Sequence, residues 1–357
     1  MFAAAMGTLG EMAFAAAAVW TGREAVFEQI PAEEIDLWAP VAAAGGQLPL
    51  EVAVGRGHFG VARCLLEHEG AVASSATDVP GSDLVNVSSP VSMDTPVMVA
   101  VRRGDAAMTR LLIEFGADET VVWEDGWQSI HHAAAAGNEA IVYTLCEARR
   151  SVAERMRPLQ LTDRAEGDRY LEDALVIAME HRKAGCAVLL VEAGADVDAD
   201  TGGREGSCML AFAVRQGLLE VVRALTAHGA EVDRREGADQ ETPLLAAVAG
   251  GASLIARALL EAGADANACY APPAEVGQRS QGGSSDGGLG TRLWSPLTLA
   301  CSRGDLEMIQ VLVEGGADVN GLDESGNSAL QVAVQAGSAE TIQVRDMQEG
   351  GGGNALM

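Results

Sequence analysis

The chain has 357 residues, with 24 Lys plus Arg against 51 Asp plus Glu, a formal charge of −27. A surface this acidic repels polyanions and anionic membranes at long range. It argues against nucleic acid, which needs clustered Lys and Arg, and makes basic proteins the better-matched partners. Apolar residues are 48% of the chain but aromatics only 4%, so the core must be built from Ala, Leu and Val. In chain order, the Ala-rich stretch Met1 to Trp20 has no Lys or Arg before its apolar run and is interrupted by Glu11, which is not the layout of a secretory signal. The nearest approach to a membrane span, Thr242 to Ala256, contains Pro and paired Gly and is shorter than the roughly 18 to 20 apolar residues a bilayer requires. The expectation is a soluble intracellular protein, cytoplasmic or nuclear, with no membrane insertion.

Three segments align residue for residue: TPVMVAVRRGDAAMTRLLIEFGAD from Thr95, TPLLAAVAGGASLIARALLEAGADAN from Thr242 and SPLTLACSRGDLEMIQVLVEGGADVN from Ser295. Each reads Thr/Ser-Pro-Leu/Val, an Ala five residues on, a tenth-place Gly, an aliphatic run and Gly-Ala-Asp. The tenth place recurs at Gly57, Gly104, Gly137, Arg182, Gly217, Gly251, Gly304 and Gly337, with gaps of 47, 33, 45, 35, 34, 53 and 33. The pattern resembles the ankyrin repeat, built on Thr-Pro-Leu-His-x-Ala at a period of about 33, and covers Leu48 to Val344. The resemblance implies an all-α fold, a solenoid of stacked helix-turn-helix units with short finger loops. The chemistry agrees: Thr or Ser caps a helix, Pro sits in its first turn where a missing N–H costs nothing, and Gly closes helices in a left-handed conformation. Leu111, Leu112 and Ile113, or Leu189, Leu190 and Val191, are expected in the buried seam of the second helix. No unit buries its faces alone, so stability comes from stacking.

The layout expected is a degenerate or capping unit over 1–47, in which Gly22 falls 35 residues before Gly57, about eight units over 48–347, and a disordered tail over 348–357. Insertions fall near 72–91, 150–169 and 268–293; the middle one could extend a helix before turning at Pro158, and the last is rich in Gly, Ser and Pro. Departures from the pattern are informative. The family's His is present only as His131, with Glu51, Met98, Val176, Ala211, Leu245, Thr298 and Gln331 in its place elsewhere, so its bonding network is expected to be mostly absent. Arg182 replaces a turn Gly, and Arg149 stands where Gly-Ala-Asp should begin.

Motifs that look chemical have plainer readings. GRGHFG at Gly55 to Gly60 matches a dinucleotide fingerprint, but that motif requires a preceding strand and a parallel sheet, and here it occupies an interhelix turn. The Arg-Gly-Asp triplets at Arg103 and Arg303 are turn glycines with ordinary neighbours. Neighbouring His131 and His132 point about 100° apart on a helix and do not share a metal easily. The six cysteines lie far apart, without Cys-x-x-Cys, and read as reduced and mostly buried. No nucleophile elbow, zinc-protease motif or phosphate loop occurs in the sequence. The chain is therefore expected to be a monomer without enzymatic activity, catalytic residues, cofactor or metal.

The resemblance implies a module that binds a protein or peptide on its concave face, through finger tips and through the eighth and ninth places just before the turn Gly. From these places the expected partner-binding residues are Arg102 and Arg103, Glu180 and His181, Arg215 and Gln216, and Ser302 and Arg303. The finger tips offer Trp123 and Trp127 in WEDGW and Trp294 in RLW, of which Trp127 and Trp294 are added, since exposed Trp and Arg are enriched at binding hot spots. Arg102, Arg103, Arg215 and Arg303 are expected to line one groove as a basic stripe suited to an acidic peptide. The alternative is the targeting or regulatory part of a larger enzyme, channel or ubiquitin-ligase assembly whose effector lies outside this chain.

Overall fold

The computed structural model describes residues 18–27, 47–73, 84–88, 93–156, 169–201, 207–236, 241–269, 295–321 and 327–335. Among these the regular structure is helical, and extended pairing includes isolated bridges between Asp200 and Cys208 and between Glu236 and Glu241. The helices are α1 Glu24–Phe27, α2 Pro49–Arg56, α3 Phe59–Ala73, α4 Pro96–Arg103, α5 Ala106–Glu114, α6 Ser129–Ala136, α7 Glu139–Met156 and α8 Tyr170–Glu180. They continue as α9 Ala184–Glu192, α10 Met209–Arg215, α11 Leu219–Ala227, α12 Pro243–Ala249, α13 Ser253–Glu261, α14 Pro296–Arg303, α15 Leu306–Glu314 and α16 Ala329–Gln335. The chain divides into two compact parts, Met1–Tyr170 and Leu171–Met357.

In the first part α2 packs on α3, α4 on α5 and α6 on α7, while α2, α4 and α6 stack on one another in order. The second part repeats the arrangement: α10, α12, α14 and α16 form one row, and α9, α11, α13 and α15 the other. This is the stacked helix-turn-helix solenoid expected from the sequence. Ala53, Ala100, Ala134, Ala213, Ala247 and Ala300, within the first helix of their units, are at most 1% exposed, since only a methyl group allows such close approach of neighbouring helices. Leu111 and Leu112 are buried, but Ile113 and Leu189 are only half-buried. Successive helical residues point about 100° apart, so three in a row cannot all face one seam.

Two turns repeat. At the end of the first helix a residue with φ near +70° reverses the chain, as at Gly57 (74°), Gly104 (71°), Gly217 (71°) and Gly304 (69°). Arg182 adopts the same left-handed geometry at 56° despite its Cβ. Gly22 has φ 69°, and the Arg23 amide reaches Ala18 O as the His58 amide reaches Ala53 O. After the second helix comes Gly-Ala-Asp, in which the Ala amide returns to a carbonyl five residues back, as from Ala117 to Leu112 and from Ala317 to Leu312. The fingers then interlock. Asn86 Oδ1 accepts from the Asp118 amide at 2.7 Å, Asp198 Oδ1 from Glu231 at 2.8 Å, Asp233 Oδ1 from Asp265 at 3.0 Å and Asn267 Oδ1 from Asp318 at 2.8 Å.

The expectation of a mostly missing His network needs correction. His131 Nδ1 accepts the Gln128 amide at 2.9 Å, and three replacements rebuild that bond. The Thr95 amide donates to Met98 Sδ at 3.4 Å, Ser295 to Thr298 Oγ1 at 2.9 Å and Ser328 to Gln331 Oε1 at 2.7 Å. Val176, Ala211 and Leu245 have no side-chain acceptor with which to do so. The insertion at 268–293, apart from Ala268 and Cys269, lies outside the described residues, as does the 348–357 tail; α7 runs on to Met156, into the middle insertion.

Candidate partner-binding surface

The structure gives each of the four expected arginines a bond within the chain. Arg102 holds Asp94 through both terminal nitrogens, at 2.8 and 3.0 Å, and its guanidinium lies 5.0 Å from the centre of the Trp123 ring. Arg103 reaches back to the preceding unit and donates to Gly55 O in the last turn of α2 at 2.5 Å. Arg303 does the same to α12, donating to Ala249 O and, at 3.4 Å, to Val248 O. A cation at a helix C-terminus meets the negative end of the dipole and otherwise unpaired carbonyls, so the ninth place acts here as a staple between units. Arg215 bonds Ser207 Oγ and, at 3.0 Å, Glu236 Oε2; Glu236 is nearly buried and also accepts from the Cys208 amide. Asp94 and Glu236 were not singled out by sequence reasoning. The usable signal for Asp94 was its place directly before the Thr95 cap; Glu236, well before the Thr242 cap, offered none.

The finger between α5 and α6 is the most structured feature around a predicted site residue. The Trp123 amide donates to Trp127 O at 2.8 Å, Gly126 turns the chain at φ 84°, and the Trp127 amide donates to Asp125 Oδ1 at 3.0 Å. Trp123, 9% exposed, stacks on His132 with ring centres 3.7 Å apart and an interplanar angle of 23°. Trp127 is half-buried and lies tilted over His131 and His132, at 6.3 and 5.3 Å. His132 Nε2 lies 3.1 Å from Asp125 Oδ2. The Trp127 amide, and more weakly the neighbouring imidazole, hold the Asp125 carboxyl below its ordinary value. Buried Trp123 thus links the two predicted residues, with Arg102 of α4 near its ring and Trp127 beside the His132 on which Trp123 stacks.

Beside this finger opens a cleft of about 800 Å³. Its apolar lining comes from Met93, Met98, Val121, Val122 and Trp123, and its charged rim from Asp94, Arg102, Glu124 and Asp125. Of the cleft's apolar residues Trp123 stands out in the sequence as a finger-tip aromatic, but Met93, Val121 and Val122 do not, because Met93 and Val122 have no periodicity in common and come to one cleft only when the fingers stack.

In the second part Glu180 and His181 are exposed at the end of α8, and Gln216 is half-buried beside Arg215. Ser302 Oγ turns inward to Leu299 O at 2.8 Å. Trp294 lies outside the described residues. Arg56, at the ninth place of α2, lies over the Trp20 ring at 3.2 Å. Among the described residues no helix is long and apolar enough to cross a membrane.

A sequence profile described as ankyrin repeats, in three copies, matches residues 82–156, 175–269 and 279–344. The chain is similar to the B-cell lymphoma 3 protein homolog of Mus musculus, 30% identical over 247 residues that span 67% of this chain and 48% of that protein. It is also similar to the Ankyrin repeat and SAM domain-containing protein 6 of Danio rerio, 32% identical over 166 residues, 40% of this chain and 19% of that one. The chain therefore spans about half or less of the length of these curated relatives. The profile covers well over half of the residues, and the helix pairs stack as the repeat requires, so this chain belongs to the ankyrin-repeat family.

Proposed function

We propose that the chain is a non-enzymatic interaction module that binds a protein or peptide on the concave face of its ankyrin units. The observation that carries this reading is the finger from Val121 to Trp127, held rigid by the Trp123–His132 stack while Trp127 and the flanking acids stay accessible. A preorganised aromatic edge loses little entropy on binding. Within the proposed surface Trp127, Arg102, Glu180, His181 and Gln216 act as partner contacts. Arg103, Arg215, Ser302 and Arg303 hold the units that present them and contact the partner with what bonding capacity remains, and Trp294, outside the described residues, is a further proposed contact. The module acts as a monomer inside the cell, in cytoplasm or nucleus.

Affinity purification from source cells, followed by binding measurements with the purified partner, tests this. Trp127→Ala should weaken binding about 10-fold at an unchanged melting curve. Unaltered affinity in both Trp127→Ala and a Glu180→Lys/His181→Glu double variant would place binding elsewhere. A second reading is favoured by length: the relatives are two to five times longer than the aligned stretch, so the repeats could serve as the targeting part of a larger assembly. Co-purification of an effector enzyme in stoichiometric amount would support it.

A further inference from the structure

We propose that the cleft between Met93 and the Val121–Trp127 finger docks a partner peptide in which a Lys or Arg stands beside an apolar side chain. This rests on the interaction-module reading and specifies its ligand. Two apolar side chains are left open there, Met93 at 66% exposure and Val122 at 56%, while Met98 and Trp123 close the base at 4% and 9%. Its volume of about 800 Å³ falls within the range of ligand-sized sites. Met93 is also held at φ 60°, a left-handed conformation that a non-Gly side chain adopts at a cost and that places it at the mouth of the cleft. A thioether there adapts to differently shaped apolar guests.

Charge selects the neighbour of that apolar residue. Arg102 is the cation of the rim, and both of its terminal nitrogens are occupied by Asp94. A peptide carboxylate would have to displace Asp94 and then lie near Glu124 and Asp125. A Lys or Arg meets the exposed Glu124 carboxylate, while Asp125, whose oxygens already face the Trp127 amide and His132, adds its charge to the rim, and the −27 charge of the whole chain steers the cation inward. The acidic-peptide preference expected from a free arginine stripe is therefore reversed at this cleft.

The test uses the full chain and two immobilised decapeptide libraries of equal apolar content, one carrying Lys and Arg at its charged places, the other Asp and Glu. The basic library should be retained. Its best peptides should bind at least 10-fold more weakly to Glu124→Lys and to Met93→Gly, the latter chosen because Gly accepts the left-handed backbone. Asp94→Asn, which releases Arg102, should shift retention toward the acidic library. Preference of the wild type for the acidic library would overturn the proposal, as would basic peptides bound equally by all variants, and as would no retention of either. A dimer seen by sedimentation and lost in Glu124→Lys would assign the cleft to a second copy and also overturn it. A cellular partner whose affinity depends on Trp127 but not on Glu124 or Met93 would leave the module standing and remove only this ligand assignment.

Discussion

Arg303 and Arg215 occupy adjacent places in the repeat, the ninth and the eighth, and they do different work. Arg303 supplies hydrogen bonds to two carbonyls at the end of α12, so Arg303→Ala should cost about 0.5 to 1.5 kcal/mol, seen as a lower urea midpoint at constant slope. Arg215 neutralises Glu236, whose side chain is 6% exposed, and its loss leaves a carboxylate largely shut away from water. Arg215→Ala should cost more, about 1.5 to 3 kcal/mol. A ranking in the opposite order would disprove these roles. By the same logic Arg103→Ala should shift the melting curve down, because Arg103 also bonds the preceding helix. Asp125 adds a pH dependence. Its folded pKa lies below the ordinary 3.8, so its contacts stabilise the finger above the unfolded value and are lost as pH falls through the lower folded one. A carboxyl titration followed by NMR should place the Asp125 midpoint below 3.8, and Asp125→Asn should flatten the acid side of the stability profile.

At the scale of the helix, two contributions separate cleanly. Leu112, fully buried between α5 and its neighbours, should cost about 2 to 5 kcal/mol when cut to Ala. Thr298 closes the start of α14 by accepting the Ser295 amide, and Thr298→Val keeps the volume while removing that bond, for a loss of about 1 kcal/mol. Chemical denaturation of both variants checks the order. Helix existence, the Pro at the first turn and the Gly at the last were legible in the sequence, because local geometry alone dictates those residue types. What was not legible was the substitution of function: Met98, Thr298 and Gln331 look nothing like His, yet each puts an acceptor where a ring nitrogen would sit.

At the scale of the whole chain, the repeat arithmetic from Gly57 to Gly304 identified the fold, since a period that persists across many units leaves few other architectures. The candidate surface was legible only in part. Position in the repeat named Arg102 and Trp127, but it could not reveal that Asp94, just before the cap of the same helix, takes up Arg102, or that Met93 and Val122 would line one cleft, a relation that crosses from one unit to the next. Composition did better with the overall sign of charge, which agrees with the acidic rim beside that cleft.

The finger bonds have an orientation in time as well as in space. In each pair the acceptor, Asn86, Asp198, Asp233 or Asn267, comes earlier in the chain than the amide it fixes, at Asp118, Glu231, Asp265 or Asp318. A ribosome delivers residues in that same order, so each of these four units emerges to find its anchoring group already in place. The molecule can grow by accretion, each finished turn serving as the mould for the next. Asp233→Ala should therefore accelerate hydrogen exchange at the downstream Asp265 amide while leaving the upstream Glu231 amide protected, and equal deprotection on both sides would show that assembly has no such direction.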